Sequence, residues 1–321
     1  MEKLSSISVF APATVANVTC GFDVLGFAID APGDTLELTL TETGEVRITE
    51  ITGDEGKLPL AVEKNTAGVA VLEYLKHLGI KQGVDIRLHK QMPLGSGLGS
   101  SAASAVGAAF AINELMGAPL ERKDLLPFAL EGERAACGYA HADNAAAALM
   151  GGFVLVRSYE PLDVVNITVP EDLYVTVIHP DVEVPTKQMR KLLKEQVPLK
   201  DAVTQWGNVG GLIAGLMSSD YALIGRSMED VIVEPLRSTL IPGFQEVRKA
   251  AMEAGALGFG ISGSGPSQFT FSQGPETAQK VAEAMETVIK SLGFTYQVYV
   301  SKVNMQGPTV LATEAQQQST V

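Results

Sequence analysis

The stretch Pro93-Leu94-Gly95-Ser96-Gly97-Leu98-Gly99-Ser100-Ser101-Ala102-Ala103 decides how the rest of the chain is interpreted. Its three glycines stand at alternate positions, which frees the backbone to curl so that successive N–H groups can point into one concavity. Two serines and a run of small residues follow, and they predict a helix that begins at Ser100. A helix N-terminus presents unpaired N–H donors and about half a positive charge, and both favour phosphate binding. Serine hydroxyls can bond a phosphate oxygen or ligate Mg²⁺, which prefers oxygen ligands.

Two better-known nucleotide motifs do not fit this loop. A Walker A loop requires a lysine before its final Ser or Thr, and the loop contains none. A Rossmann G-x-G-x-x-G counted from Gly95 would need its third glycine where Ser100 stands, and it would follow the first strand of a βαβ unit. The bland alternative is a glycine-rich turn followed by a tightly packed helix of small residues. The proline before the loop and Ser-Ser-Ala-Ala after it favour phosphate binding.

The composition excludes several classes of function. The formal charge is −13, and the chain lacks the dense basic face that nucleic-acid phosphates require. Its most basic stretch, around Lys187 to Lys194, has the spacing of a solvated helix face. Cys20 and Cys137 have neither disulfide nor zinc spacing. The N-terminus lacks the features of a secretory signal, and no window reaches the ~18 apolar residues of a membrane span. We therefore expect a cytoplasmic protein that binds neither nucleic acid nor membrane.

Strands and helices alternate irregularly along the chain, which favours two α+β domains over one doubly wound sheet. We place the boundary at about residue 165, giving an N-terminal domain over 1–165 and a C-terminal domain over 166–311. The polar tail 312–321 is predicted to be disordered. Asn65 is the predicted N-cap of a helix that reaches Leu78 and whose apolar face holds Val69, Leu72, Leu75 and Leu78.

The loop resembles the phosphate loop of the GHMP small-molecule kinases, which include galactokinase, homoserine kinase and mevalonate kinase. The resemblance implies a two-domain α+β fold, with an N-terminal domain like ribosomal protein S5 domain 2 and a C-terminal ferredoxin-like α/β plait. It also implies ATP as co-substrate and Mg²⁺ as cofactor. The loop motif does not indicate which compound's hydroxyl accepts the phosphoryl group.

The N-terminal segment from Ala11 to Asp30, APATVANVTCGFDVLGFAID, resembles the first motif of the homoserine kinases. In that family a strand delivers an Asn and a Gly-Phe-Asp turn into the acceptor site, which corresponds to Asn17 and Asp23 here. Many members carry Gly-Pro where this chain has Thr19-Cys20.

Four more segments resemble the same family and extend the likeness to about residue 270. They are Glu133 with His141-Ala142-Asp143-Asn144, then Val184 to Arg190, then Glu234 to Gly243, and finally the third glycine motif around Gly263-Ser264-Gly265.

The resemblance assigns roles to individual residues. Ser101, or Ser100, ligates Mg²⁺ together with Glu133. The acceptor is bound by residues that suit a free amino acid, whose carboxylate pairs with the forks of Arg190 and Arg237. The remaining acceptor residues are Asn17, Asp23 (which faces the ammonium), His141, Asn144 and Thr186.

Each assignment has a plainer alternative that the sequence leaves open. Arg190 would then be an exposed helix charge, and Arg237 would pair with Glu234 at i,i+3. Glu133 would form a salt bridge to a neighbour such as Arg134 or Lys123. His141 would be a structural histidine and Asn144 a helix cap.

These resemblances predict a homodimeric kinase that phosphorylates the hydroxyl of L-homoserine, with the γ-phosphate itself taking the proton. The first alternative is another GHMP kinase, such as mevalonate kinase, whose acceptor has no ammonium. The second is a non-catalytic amino-acid or nucleotide sensor on the same fold. A sensor is disfavoured because Ser100, Ser101 and Glu133 are all present.

Overall fold

The computed structural model describes residues 4–182, 193 and 196–315. Thr186, Arg190 and most of the basic stretch around Lys187 to Lys194 lie outside the described residues.

The N-terminal domain is built on a seven-stranded sheet. Its strands are β1 (Leu4–Ala16), β2 (Leu25–Thr41), β3 (Val46–Thr52), β4 (Gly83–His89), β5 (Phe153–Tyr159), β6 (Leu162–Ile167) and β11 (Thr309–Ala315). The strand β2 organises it because β2 is 17 residues long: its later half pairs with β4, and its first residues pair with β5. The strand order is β11-β1-β2-β4-β3, and β6 extends β5. Only β3 and β4 run parallel to each other among these pairs.

Four helices accompany this sheet: α1 (Thr66–Leu78), α2 (Ser100–Leu115), α3 (Leu126–Cys137) and α4 (Ala142–Met150). Helix α2 packs against the other three and against β1 and β2. Its alanines and glycine keep it thin, so neighbouring elements approach it from nearly every side and bury it. The phosphate loop precedes α2 directly, so its position is determined by the most buried helix of the domain.

The predicted apolar face of α1 is only partly correct. Asn65 caps the helix as predicted, accepting a hydrogen bond from Ala67 N. The buried side, however, carries Ala70, Val71, Tyr74 and Leu75, because α1 packs against both α2 and α3. Because α1 is packed against two helices, small and aromatic residues are buried on it in addition to part of the predicted apolar face.

The C-terminal domain is a four-stranded antiparallel sheet with the order β10-β7-β9-β8. Numbered within the domain this is 4-1-3-2, the order of a ferredoxin-like plait. The strands are β7 (Leu173–Pro180), β8 (Gly258–Ile261), β9 (Gln268–Gln273) and β10 (Tyr296–Lys302). The helices are α5 (Leu199–Ser218), α6 (Tyr221–Ser227), α7 (Glu234–Arg237), α8 (Phe244–Glu253) and α9 (Pro275–Ser291). The predicted two-domain α+β fold is confirmed, and within the described ranges no helix is long and apolar enough to cross a membrane.

The predicted domain limits need two corrections. The boundary at residue 165 falls inside β6, which stays paired with β5 up to Ile167. The predicted tail begins too early, because residues 312–315 belong to β11, which pairs with β1. This edge strand has mostly exposed side chains, Val310 and Leu311 among them, and it is held by backbone pairing with β1. Residues 316–321 lie outside the described part of the chain.

A cluster of aromatic rings joins the two domains. Phe27 of β2 is fully buried and stacks on Phe153 of β5, with the ring centroids 5.5 Å apart. The same ring lies 5.2 Å from Phe271 and 5.9 Å from Phe269, both on β9 of the C-terminal sheet. Aromatic rings bury large areas and prefer defined geometries, so this contact orients the domains.

Candidate active site

The three glycines of the loop have left-handed backbone conformations, which glycine adopts readily. Gly95, Gly97 and Gly99 have φ values of 70°, 83° and 68°. A Cβ on Gly97 would collide with Ser262 O, and one on Gly99 would collide with Thr14 Oγ1. Gly99 supplies no side chain to cap α2, so the first N–H groups of that helix point into the loop. The backbone therefore presents the donors that phosphate binding requires.

The turn that contains the third glycine motif holds this loop from the other domain. Ser262 Oγ donates to Gly97 O at 2.7 Å, and Ser267 N donates to Ser96 O at 3.2 Å. Gly263 N donates to Ala16 O at 3.1 Å, at the end of β1. Both glycine motifs and the end of β1 thus form one hydrogen-bonded unit.

The N-terminal turn leaves β1 with three consecutive left-handed residues. Asn17, Val18 and Thr19 have φ values of 69°, 40° and 58°, and Asp23 has 57°. The Asn17 side chain accepts from Asp23 N at 3.0 Å and donates to Gly263 O at 2.7 Å. Left-handed backbone favours glycine, so three consecutive non-glycine residues in this region are strained and must be held by their contacts.

One cavity of about 1090 Å³ lies between these elements. It brings together predicted residues from six segments of the chain and from both domains. These are Asn17, Asp23, Leu94, Gly95, Ser96, Gly97, Gly99, Ser100, Ser101, Glu133, His141, Asn144, Arg237, Gly263 and Ser264.

Some predicted residues do not line this cavity. Leu98, Ala102 and Ala103 are fully buried in the N-terminal core, where they fix the loop and its helix from behind. Pro93 and Gly265 also lie outside the lining.

The two candidate serines have different environments. Ser100 is 8% exposed, and its hydroxyl donates to the Asp34 carboxylate at 3.2 Å. Ser101 is half-buried and lines the cavity. Ser101 is therefore the better placed hydroxyl for a metal ligand.

Glu133 of α3 has an unusual environment for a carboxylate. It is 1% exposed, and its Oε2 lies 3.4 Å from His141 Nδ1. Its Oε1 has no hydrogen-bond partner among the described residues. The alternative pairing is wrong, because Arg134 pairs with Glu131 and Lys123 with Glu121. A buried carboxylate oxygen is costly unless a donor, a water or a cation meets it, so Oε1 is a suitable ligand for a cation.

Asp143 is a cavity residue that the sequence placed in a matching segment without a role. It is 1% exposed, and its carboxylate accepts from Asn144 N at 3.0 Å. Burial and the charge of Asp23 raise the pKa of Asp143 to about 6, and His141 opposes the shift. Burial lowers the pKa of His141, but the bond to Glu133 and the nearby carboxylates outweigh it and raise the pKa overall. His141 thus links two acidic groups of the site.

The plainer alternatives for Arg237 and Asn144 are also wrong. Arg237 is 5% exposed, donates to Gly263 O at 3.0 Å and lies 5.1 Å from the centre of the Phe22 ring. Glu234 instead pairs with Arg248 at 3.0 Å. Asn144 lies inside α4, where its Oδ1 accepts from Thr14 Oγ1 at 2.7 Å, so it is not the cap of that helix.

Two features of the cavity were missed by the sequence analysis. One end is formed by residues before and at the start of α1, including Leu58, Pro59, Lys64 and Thr66. The floor contains Lys90, whose side chain is 2% exposed and paired with Asp34. Lys90 directly follows a strand pattern, where a lone lysine is normally expected in solvent, so no local signal indicates its burial.

Gly97→Ala and Gly95→Ala separate steric fit from backbone strain. Both substitutions place alanine at positive φ, which costs about 1–2 kcal/mol. Only Gly97→Ala adds a collision, since a Cβ on Gly95 meets nothing within 4 Å. We expect Gly97→Ala to lower the melting temperature of the ligand-free protein clearly more than Gly95→Ala, by differential scanning calorimetry. Equal losses would contradict the contact with Ser262.

Comparisons with known proteins show which family the chain belongs to. The family model for the GHMP kinases N terminal domain matches residues 65–152, and that for the GHMP kinases C terminal matches residues 212–291. The homoserine kinase of Chlorobium phaeobacteroides (strain BS1) is 52% identical over 320 residues, covering 96% of this chain and 100% of that protein.

Solved structures give the same picture. The crystal structure of homoserine kinase from Cytophaga hutchinsonii is 62% identical, with a TM-score of 0.95 over 96% of this chain and 98% of that chain. The L. major mevalonate kinase in complex with R-mevalonate has a TM-score of 0.70 over 94% of this chain and 99% of that chain, at 17% identity, and shows a shared fold alone. The resemblance found in the sequence is therefore confirmed, and the chain belongs to the homoserine kinase family of the GHMP kinases.

Proposed function

We propose that this protein transfers the γ-phosphoryl group of ATP to the side-chain hydroxyl of L-homoserine, giving O-phospho-L-homoserine in threonine biosynthesis. One observation carries the proposal: a single cavity joins the glycine loop and the start of α2 to Asn17, Asp23 and Arg237. The first set suits a triphosphate, and the second suits a small zwitterion. Membership of the homoserine kinase family supports the same substrate pair.

The loop and helix α2 hold the nucleotide in this proposal. Phosphoryl transfer requires mainly alignment and neutralisation of charge. The N–H groups of residues 95–101 and the positive end of α2 supply both without a lysine in the loop.

The residues present fit Mg²⁺ as cofactor. Ser101 offers a hydroxyl, and Glu133 offers a buried carboxylate oxygen that lacks a partner among the described residues. Mg²⁺ is usually held by one or two protein oxygens, substrate phosphates and water, so the sparse donor set is expected. When bound, the ion neutralises charge on the phosphate oxygens.

The acceptor is held by charges of opposite sign. Asp23 faces the ammonium, and Arg237 pairs with the carboxylate, while Asn17 and His141 orient the substrate. Thr186 and Arg190 lie outside the described residues and stay predictions for this site. The backbone turn that carries Asn17 and Asp23 is tied to Gly263, which keeps the acceptor residues next to the phosphate loop.

The proton of the acceptor hydroxyl passes to the γ-phosphate in this proposal. Asn144 lies near the acceptor, but an amide does not take up a proton at neutral pH. Asp23 cannot readily take the proton either, because it is engaged with the ammonium.

The cytoplasmic location and the homodimer stay predictions.

A coupled ADP-release assay tests the proposed substrate. With MgATP we expect turnover of L-homoserine and at most background turnover of mevalonate or galactose, because only the first brings an ammonium to Asp23. Faster turnover of mevalonate would favour the other GHMP kinase activity. Binding of ATP without turnover of any acceptor would favour a sensor.

Glu133→Gln tests the metal site. It removes the charge but keeps the shape, so we expect kcat to fall on the order of 10²-fold, as for loss of a preorganised charge-stabilising group. The ligand-free protein should lose little stability, because Glu133 Oε1 has no partner among the described residues and the new amide oxygen can still accept a hydrogen bond from His141 Nδ1. The control is Glu131→Gln on the same helix, which removes a surface pair with Arg134. A thermal loss with unchanged Mg²⁺ dependence would assign Glu133 a structural role.

Asp23→Asn tests the contact with the ammonium. Loss of a charged hydrogen bond costs about 1.5–3 kcal/mol, so we expect KM for homoserine to rise about 10-fold or more with little change in KM for ATP. Against 4-hydroxybutanoate, which lacks the ammonium, parent and variant should perform alike. The control is Asp163→Asn, which affects a surface pair with Arg157. If the fall in kcat at low pH were lost in Asp23→Asn while KM for homoserine stayed unchanged, Asp23 would instead be the base.

A further inference from the structure

A buried ion pair lies directly behind the phosphate loop, and the proposed mechanism does not use it. The Lys90 ammonium contacts the Asp34 carboxylate, and the two side chains are 2% and 1% exposed. Lys90 Nζ also donates to Ser100 O at 2.8 Å and to Ser104 Oγ at 2.7 Å. Desolvating two charges is expensive, so such a pair needs an explanation beyond stability.

Asp34, the acidic partner of the ion pair, holds further groups around the glycine loop. Its carboxylate accepts hydrogen bonds from Gln91 N at 2.8 Å, Met92 N at 3.1 Å and Ser100 Oγ at 3.2 Å. The ion pair therefore connects three segments by hydrogen bonds: strand β2, the residues just before the glycine loop, and the first residue of α2.

The three protons of the Lys90 ammonium have three protein acceptors: Asp34, Ser100 O and Ser104 Oγ. Lys90 reaches the cavity floor, yet it would have to break one of these bonds to donate to a phosphate. Its effect on the nucleotide is therefore indirect, through the groups that it holds.

We propose that Lys90 is a positioning residue for phosphoryl transfer, which orients and polarises the Ser100–Ser101 peptide toward the nucleotide. A trans peptide is planar, so fixing Ser100 O also fixes the direction of Ser101 N–H. In a helix the carbonyl points along the axis and the N–H points back, here into the glycine loop. A cation on the carbonyl oxygen also polarises the peptide and strengthens its N–H as a donor to an anion.

The proposal differs from that of a purely structural ion pair in one measurable respect. Removing one partner of a buried pair leaves an uncompensated charge and destabilises the fold, whereas replacing both is often neutral. A structural pair would therefore recover both stability and activity when both charges are removed. A positioning lysine would recover stability alone.

The experiment compares Lys90→Met, Asp34→Asn and the double variant, assayed well below their melting temperatures. We expect both single variants to melt earlier than the parent and the double variant to recover most of that loss. KM for MgATP should rise about 10-fold in Lys90→Met and in the double variant, the range for losing a charged hydrogen bond. It should change less than threefold in Asp34→Asn, and KM for homoserine should stay constant throughout.

Two controls complete the comparison. Lys123→Met removes an exposed lysine paired with Glu121 and should match the parent. Lys90→Arg keeps a cation against Asp34 and Ser100 O, and it should recover part of the MgATP affinity relative to Lys90→Met. It also provides the test if the charge-removing variants do not fold.

Three outcomes would overturn the proposal: a double variant that regains the parent's KM for MgATP, an Asp34→Asn variant as impaired as Lys90→Met, or a Lys90→Arg variant that recovers no MgATP affinity. The inference rests on the proposed kinase function, and the two fail differently. A parent without homoserine turnover refutes the function, whereas calorimetric binding of MgADP to parent and variants tests Lys90 without any acceptor.

Discussion

The hydrogen bond from Ser262 Oγ to Gly97 O is the contact on which the site depends. It joins a turn of the C-terminal domain to the middle of a loop in the N-terminal domain, and it is possible only because Gly97 has no Cβ. The bond from Gly263 N to Ala16 O adds the end of β1 to the same unit. The packing of Phe27 against Phe269 and Phe271 holds the domains in the relative position that these bonds need. The packing of the two domains and the geometry of the glycine loop therefore depend on each other.

Charge is distributed unevenly around the cavity, against a net charge of −13 for the chain. The loop and the start of α2 carry positive potential from backbone dipoles, which needs no titratable group. Asp23, Asp143 and Glu133 form an acidic region linked by His141, and burial raises the pKa of Asp143 to about 6. An acidic region next to a phosphate site would repel a nucleotide by itself. Under the proposed function, a cation in the gap, either Mg²⁺ or the ammonium of the acceptor, would remove that repulsion, and binding of the substrates and of the cofactor would favour each other.

The sequence was most informative where function depends on local backbone chemistry. Alternating glycines and the following serines predicted a curled loop and the start of α2, and the family segments predicted which distant residues meet in the cavity. It was least informative where tertiary contacts decide. The side of α1 that is buried depends on both α2 and α3, and residues 312–315, which were predicted to be part of a disordered tail, belong to β11 because this strand pairs with β1. The pairing of Lys90 with Asp34 spans 56 positions and follows from no local pattern.

The turn after β1 shows how the structure tolerates backbone strain next to the cavity. A non-glycine residue in the left-handed region costs about 1–2 kcal/mol, and Asn17, Val18 and Thr19 lie there in succession. Such strain persists only where surrounding contacts determine the conformation. Here Asn17 is bonded to Asp23 N and Gly263 O, and Gln205 Nε2 donates to Cys20 O at 2.9 Å. Because tertiary contacts rather than a glycine hold this turn, the positions of Asn17 and Asp23 do not depend on a bound ligand, and an acceptor bound as proposed would not have to order them.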